Sequence, residues 1–127
     1  MTLELPAALE PHVGTDFQTP AVYALRLDRP DDLEARLGEH YPQAPPWLSQ
    51  AVAAEAVVYV GAAARLCDRL EDHITGRARR VALLDVCDIE AVYDIWAFAD
   101  RDRAFERESA IALELQNDHG GWYVHQR

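Results

Sequence analysis

The sequence VYVGAAARLCDRLEDH runs from Val58 to His73 and joins a strand signal to a helix signal. β-branched and aromatic residues over 56–60 predict a strand, which Gly61 is expected to end. A helix is predicted over 64–74, because apolar side chains recur there at every fourth position: Leu66, Leu70 and Ile74. The stretch therefore predicts a strand followed closely by a helix with one apolar face.

The polar side of that predicted helix carries Arg65, Arg69 and His73 at a spacing of four, so that all three project from one face. Arginine binds phosphate oxygens with a planar fork of donors, and histidine transfers protons near neutral pH. Taken alone, the spacing is explained more simply by a solvated helix face whose arginines pair with Glu71 and Asp72.

The remaining elements predict an α/β or α+β fold, in which helices flank a small three-stranded sheet. The 127 residues fit a single domain, with 1–20 as an N-terminal arm and 28–56 as a helical insertion after the first strand. The predicted strands outside the opening stretch cover 21–27 and 89–98, with a short last strand at 122–124. Helices are predicted over 30–41, 47–54 and 100–115.

Glu108 stands out on the last predicted helix because it falls on an otherwise apolar stripe with Ala104, Ile111 and Leu115. A carboxylate on a core-facing stripe needs a cation, a metal ion or several hydrogen-bond donors. The residues alone do not separate an ion pair with an arginine from metal binding.

Tyr23 and Tyr59 each lie inside an apolar predicted strand, and adjacent strands would bring their hydroxyls together. Isolated tyrosines in strands usually line the edge of a core. Cys67 and Cys87 also fall in apolar surroundings and have no metal-binding spacing, so core packing is expected for both.

The charge balance is unusual, with 22 acidic residues against 12 basic ones, all of them arginine, and a net charge of −10. Such a charge repels nucleic acid in dilute buffer, but at molar salt the Debye length is only about 3 Å. Salt adaptation is therefore the favoured interpretation, with an acidic interaction surface as the alternative. The chain contains no apolar run long enough for a membrane span and no signal-peptide pattern, so a cytoplasmic protein without membrane contacts is expected.

The stretch Val58–His73 resembles the second half of the GIY-YIG nuclease signature: a strand ending in Tyr-Val-Gly, then a leucine, an arginine and a histidine at the family's spacing. The segment Ala21-Val22-Tyr23 resembles the Gly-Ile-Tyr strand, with alanine replacing the glycine. Arg103–Glu108 resembles the later helix, in which a glutamate four residues after an alanine binds the metal ion.

The resemblance implies a metal-dependent endonuclease that hydrolyses phosphodiester bonds in DNA, with structure-specific cleavage in repair or recombination as the expected setting. Glu108 would bind Mg²⁺ or Mn²⁺, and Arg69 would hold the scissile phosphate. Tyr23, Tyr59 and His73 would position and deprotonate the attacking water, while Gly61 would be the glycine of the structural motif.

The expected partner is nucleic acid, DNA rather than RNA. Arg65 and a dense basic stretch supply the candidates for substrate binding; the stretch consists of Arg77, Arg79 and Arg80. No attached DNA-binding module is recognisable in the sequence. Specificity would then come from the shape of the DNA or from a protein partner.

Two other functions compete with the nuclease. The alanine at position 21 and the pair Ala62-Ala63 favour a catalytically inactive nucleic-acid-binding module on the same scaffold. A partner-binding adaptor acting through the inserted helices would require an exposed apolar patch at three residues: Leu37, Trp47 and Leu48.

Overall fold

The computed structural model describes residues 19–39, 43, 45–66, 68–70, 83 and 87–126. Most of the predicted N-terminal arm and residues 71–74 of the predicted 64–74 helix lie outside this part of the chain. Leu66 and residues 68–70 are helical, as predicted. The other elements are β1 (Ala21–Asp28), α1 (Leu33–Gly38), α2 (Leu48–Ala53), β2 (Ala56–Ala63), β3 (Asp88–Ala97), α3 (Arg101–Asp118) and β4 (Trp122–Gln126).

The strands form one mixed sheet in the order β3-β1-β2-β4. β1 is antiparallel to both β2 and β3, whereas β4 lies parallel to β2. The predicted mixed α/β architecture with flanking helices is confirmed, but the sheet in the described part of the chain contains four strands instead of the predicted three, because the short last strand also joins it. The last strand was expected from its composition, yet its place beside β2 depends on the path of α3, which no local pattern reveals.

The two central strands are buried on both sides, and their alternating side chains enter two separate clusters. Tyr23, Leu25 and Tyr59 point to one side, called here the tyrosine face, where α1, α2 and Leu66 pack. Val22, Val58 and Val60 point to the other side, the α3 face, which the buried stripe of α3 covers. Helical layers on both sides explain why β1 and β2 are nearly continuous apolar runs.

The two short helices lie between β1 and β2, where the sequence predicts extra helices. Arg29 fixes the end of α2 by donating hydrogen bonds to the carbonyl oxygens of Ala51 and Ala54, at 2.7 and 2.5 Å. These bonds satisfy acceptors that the end of a helix leaves unpaired.

The apolar patch that an adaptor would require is not present at the expected residues. Leu37 and Leu48 are buried in the core, and Trp47 stacks on Tyr123 with ring centroids 5.7 Å apart. Val52, which the helical spacing places inside with Leu48, is instead 42 % exposed. The inserted helices therefore turn their apolar side chains onto the sheet, because the tyrosine face would otherwise be uncovered.

The long helix α3 begins where the sequence predicts it, with Asp100 as the N-cap residue. The Asp100 carboxylate accepts a hydrogen bond from the backbone N–H of Arg103 at 2.9 Å. The buried positions of α3 are Ala104, Glu108, Ile111, Ala112 and Leu115. The predicted inward position of Glu108 is confirmed, with only 6 % of the residue exposed.

Candidate active site

The centre of the candidate site is the close approach of Tyr23 to Gly61, which face each other in the pairing of β1 with β2. A Cβ atom built on Gly61 would lie 2.6 Å from Cζ of Tyr23 and closer still to its hydroxyl oxygen. Only glycine fits beneath this ring. The expectation that Gly61 ends the strand is therefore wrong, because β2 continues to Ala63. Gly61 leaves room for the Tyr23 ring and does not form a turn.

Tyr59 lies beside Tyr23 on the tyrosine face, with ring centroids 6.2 Å apart and the planes tilted by 48°. Both residues are completely buried. Tyr59 pairs with Leu25, so the two tyrosines are diagonal neighbours across the strands. The register thus brings together two aromatic hydroxyl groups that are far apart in the sequence.

The environment of Tyr23 strongly favours its protonated form. Burial raises the pKa of the Tyr23 hydroxyl far above its ordinary value, and the neighbouring Tyr59 raises it further. A hydrogen bond with Arg69 and the charge of that guanidinium oppose the rise without cancelling it. Tyr23 is therefore a hydrogen-bond donor near neutral pH, and in this environment it is a poor general base.

An arginine-lined cavity of about 320 Å³ lies at the end of β2. Its wall combines small side chains with residues from two separate segments: Ala62, Ala63, Ala64, Arg65, Asp68, Arg69, Arg101 and Phe105. Arg65 is paired with Asp68, with Nε 2.8 Å from the carboxylate oxygen. The cavity therefore presents three guanidinium groups against one carboxylate, in a protein whose net charge is −10.

Glu108 lies on the helix that covers the α3 face, whereas the tyrosines occupy the opposite face. It follows Phe105, which lines the cavity, by three residues, or about 4.5 Å of helix rise. Glu108 is the only buried charged residue in the described part of the chain. Glu108 itself is not among the residues that line the cavity.

Glu108 is the residue to which the resemblance assigns a metal ion. No group of three or more histidine, cysteine, aspartate or glutamate side chains that could hold a metal occurs among the described residues. Mg²⁺ is commonly bound through one or two carboxylates, together with water and substrate phosphates, and a single buried glutamate fits that pattern.

Several predicted site residues cannot be placed against this geometry. His73 and the basic stretch Arg77, Arg79 and Arg80 lie outside the described residues. Cys67 does as well, whereas Cys87 is buried as predicted, and burial raises the pKa of its thiol to about 11. Cys87 is thus a core residue with little thiolate at neutral pH.

Sequence reasoning missed His125, which the parallel pairing of β4 with β2 places opposite Tyr59. Their ring centroids are 6.3 Å apart, and the ring centroids of Trp47 and His125 are 4.8 Å apart in an edge-to-face arrangement. Nδ1 of His125 is 2.7 Å from the hydroxyl oxygen of Tyr123. Burial lowers the pKa of His125 and so favours neutral imidazole. The sequence alone does not show that β4 pairs with β2, so it could not show that His125 lies beside Tyr59.

His125 is expected to make stability depend on pH. In the unfolded chain its pKa is about 6.5, and burial lowers that value in the folded protein. The unfolded state then binds more protons at acidic pH, so this contribution is complete above pH ~6.5 and decreases as the pH falls. His125→Gln should reduce this pH dependence in urea unfolding between pH 7.5 and 5. His119→Gln is the control, because it removes an imidazole from a different aromatic cluster and leaves His125 in place. An equal pH dependence of the free energy of unfolding in His125→Gln and wild type would contradict the prediction.

Comparison with known proteins adds no relative: no family model, curated protein or solved structure matches this chain. Among the described residues, no helix is long and apolar enough to cross a membrane.

Proposed function

We propose that this protein is a GIY-YIG-type endonuclease that hydrolyses phosphodiester bonds in DNA with the help of a divalent metal ion. The observation that carries the proposal is the contact of Tyr23 with Gly61 and Arg69. This contact brings together Tyr23, from the first half of the GIY-YIG-like signature, and Gly61 and Arg69, from its second half. Arg69 also lines the cavity that is rich in arginine. An acidic protein that concentrates guanidinium groups in one cavity is suited to bind an anion there.

Each residue of this group has a distinct role in the proposed reaction. Arg69 holds the scissile phosphate, because a guanidinium stays charged and offers two parallel donors to phosphate oxygens. Tyr23 orients Arg69 by accepting a hydrogen bond from its guanidinium, while the raised pKa keeps the proton on the Tyr23 hydroxyl. The base that deprotonates water is then Tyr59 or His73, not Tyr23.

Glu108 would hold the Mg²⁺ or Mn²⁺ ion. When bound, such an ion acts as a Lewis acid that stabilises charge on the phosphate oxygens. The side chain itself contributes a buried carboxylate, whose charge is costly without a cation or donors. Ordering it on the third turn of a well-capped helix reduces the entropy lost when a cation binds.

The proposed setting is a salt-rich cytoplasm, in which the acidic surface does not prevent binding to DNA. Arg77, Arg79 and Arg80 would contact the DNA backbone outside the cavity. A branched or flapped DNA shape, or a protein partner, would supply the specificity that a small nuclease domain lacks.

Cleavage of labelled linear, flapped and branched DNA at molar salt, with Mg²⁺ or Mn²⁺, tests the proposal. Wild-type protein should nick DNA and lose this activity in EDTA. Arg69→Gln should lower the rate by about a hundredfold, because one preorganised contact to the developing charge is removed. Arg26→Gln is the matched control, since Arg26 is an exposed arginine of β1 paired with Glu90. Equal cleavage by wild type and Arg69→Gln would indicate a contaminating nuclease and contradict the proposal.

An inactive nucleic-acid-binding module is the second candidate. It is favoured by Ala62 and Ala63, which line the cavity where the resembling family often has a polar or basic residue. DNA binding that depends on Arg69, without cleavage in either metal ion, would support this function and exclude the enzyme.

A further inference from the structure

Arg101 is the residue of the cavity that neither the sequence motif nor the proposed chemistry uses. It is the first residue of α3 and lines the cavity together with Arg65 and Arg69, which come from the segment after β2. Two parts of the chain thus contribute guanidinium groups to the same cavity.

The position of Arg101 is unfavourable for stability alone. The N-terminus of a helix carries partial positive charge, so a cation in the first turn is destabilising and an anion is stabilising. Neighbouring arginines of α3 are compensated: Arg103 lies 3.8 Å from Asp100, and Arg107 lies 4.0 Å from Glu114. Arg101 makes no ion pair within the described part of the chain. A bound anion would remove both disadvantages.

Phe105 orients the Arg101 side chain. The guanidinium carbon lies 5.2 Å from the centre of the Phe105 ring, within the range of a cation–π contact. Contact with the ring leaves the N–H groups at the edge of the guanidinium able to reach an anion in the cavity. The Arg101 side chain therefore loses less conformational entropy when an anion binds.

We propose that Arg101 binds a second phosphate of the same nucleic-acid strand, next to the phosphate held by Arg69. This inference rests on the proposed function only in its nucleic-acid substrate, and it does not require cleavage. Two neighbouring phosphates match a cavity lined by guanidinium groups from two segments of the chain better than one isolated phosphate, which a single arginine could hold. Asp68 offsets the charge of Arg65. The two phosphate contacts are therefore assigned to Arg69, the arginine of the proposed reaction, and to Arg101.

Binding of a short fluorescent single-stranded DNA, followed by anisotropy in EDTA over a range of salt concentrations, tests the inference. For single strands, log K falls with log salt concentration by about 0.7 for each phosphate contact. Arg101→Gln should therefore lower this slope by about 0.7 and weaken binding by about tenfold at the salt concentration at which wild type binds most tightly. Arg101→Lys should retain most of the slope, because the slope reports charge.

Arg103→Gln is the matched control, because it removes the same charge from the same helix turn without lining the cavity. A slope unchanged in Arg101→Gln, or reduced equally in Arg103→Gln, would overturn the inference. So would a wild-type protein that does not bind the strand at all. If wild type cleaves DNA but the slope is unchanged in Arg101→Gln, this inference alone is contradicted. If the slope is lower in Arg101→Gln but wild type does not cleave DNA, the inference is supported and only the enzymatic activity is rejected.

Discussion

Glu108→Gln is expected to reduce DNA cleavage by about a thousandfold or more, while leaving the protein folded. The substitution keeps the size of the side chain but removes the negative charge that would attract a divalent cation. Without the cation, charge on the phosphate oxygens is stabilised only by the arginines of the cavity. Initial rates at saturating Mg²⁺ and Mn²⁺ give the measurement, with folding checked by circular dichroism.

Glu106→Gln is the matched control for this loss. Glu106 lies on the same helix but is exposed, so its substitution should leave the cleavage rate within about twofold of wild type, as for surface changes in general. A similar loss in both variants would show that the effect comes from the helix and not from the buried carboxylate.

The thermal stability of these variants separates metal binding from a buried ion pair. A ligand that binds only the folded state raises the melting temperature, so Mg²⁺ should stabilise wild type but not Glu108→Gln. If Glu108 instead compensates a buried arginine, Glu108→Gln should lose about 3–5 kcal/mol without any metal, and Mg²⁺ should have no effect on wild type. That result would contradict the metal-binding role.

Gly61→Ala is expected to lower the free energy of unfolding by about 2–3 kcal/mol, near the upper end for overpacked cores. The added methyl group would lie 2.6 Å from Cζ of Tyr23, whose ring is completely buried. Urea unfolding measures the loss. Gly38→Ala is the matched control, because a Cβ there meets nothing within 4 Å and the change should be neutral or slightly stabilising.

A double-mutant cycle identifies the source of the Gly61 effect. If the Tyr23 ring causes the clash, Gly61→Ala should cost much less when Tyr23 is already replaced by leucine. Equal costs in the two backgrounds would locate the effect in the backbone of β2 rather than in its contact with Tyr23. The same cycle measures how strongly the two halves of the resembling signature are coupled.

Local sequence patterns determined the elements of this protein and the inward position of Glu108. Apolar runs over 21–27 and 56–60 predict strands that the structure contains, because strands covered on both faces need few polar side chains. Helical spacing was sufficient to predict the burial of Glu108, because Glu108 lies on the same side of the helix as Ala104 and Ile111. These features depend on residues within a few turns of one another.

Only the tertiary structure decided which residues meet at the site. Strand register places the Tyr23 ring over Gly61, and the return of the chain through α3 brings His125 beside Tyr59 and Arg101 into the cavity of Arg69. Such contacts join residues far apart in the chain, and their pairing is set by the packing of whole layers. The periods of strands and helices describe one element at a time. They therefore predict which side chains lie on each side of an element, but not which residues of other elements those side chains contact.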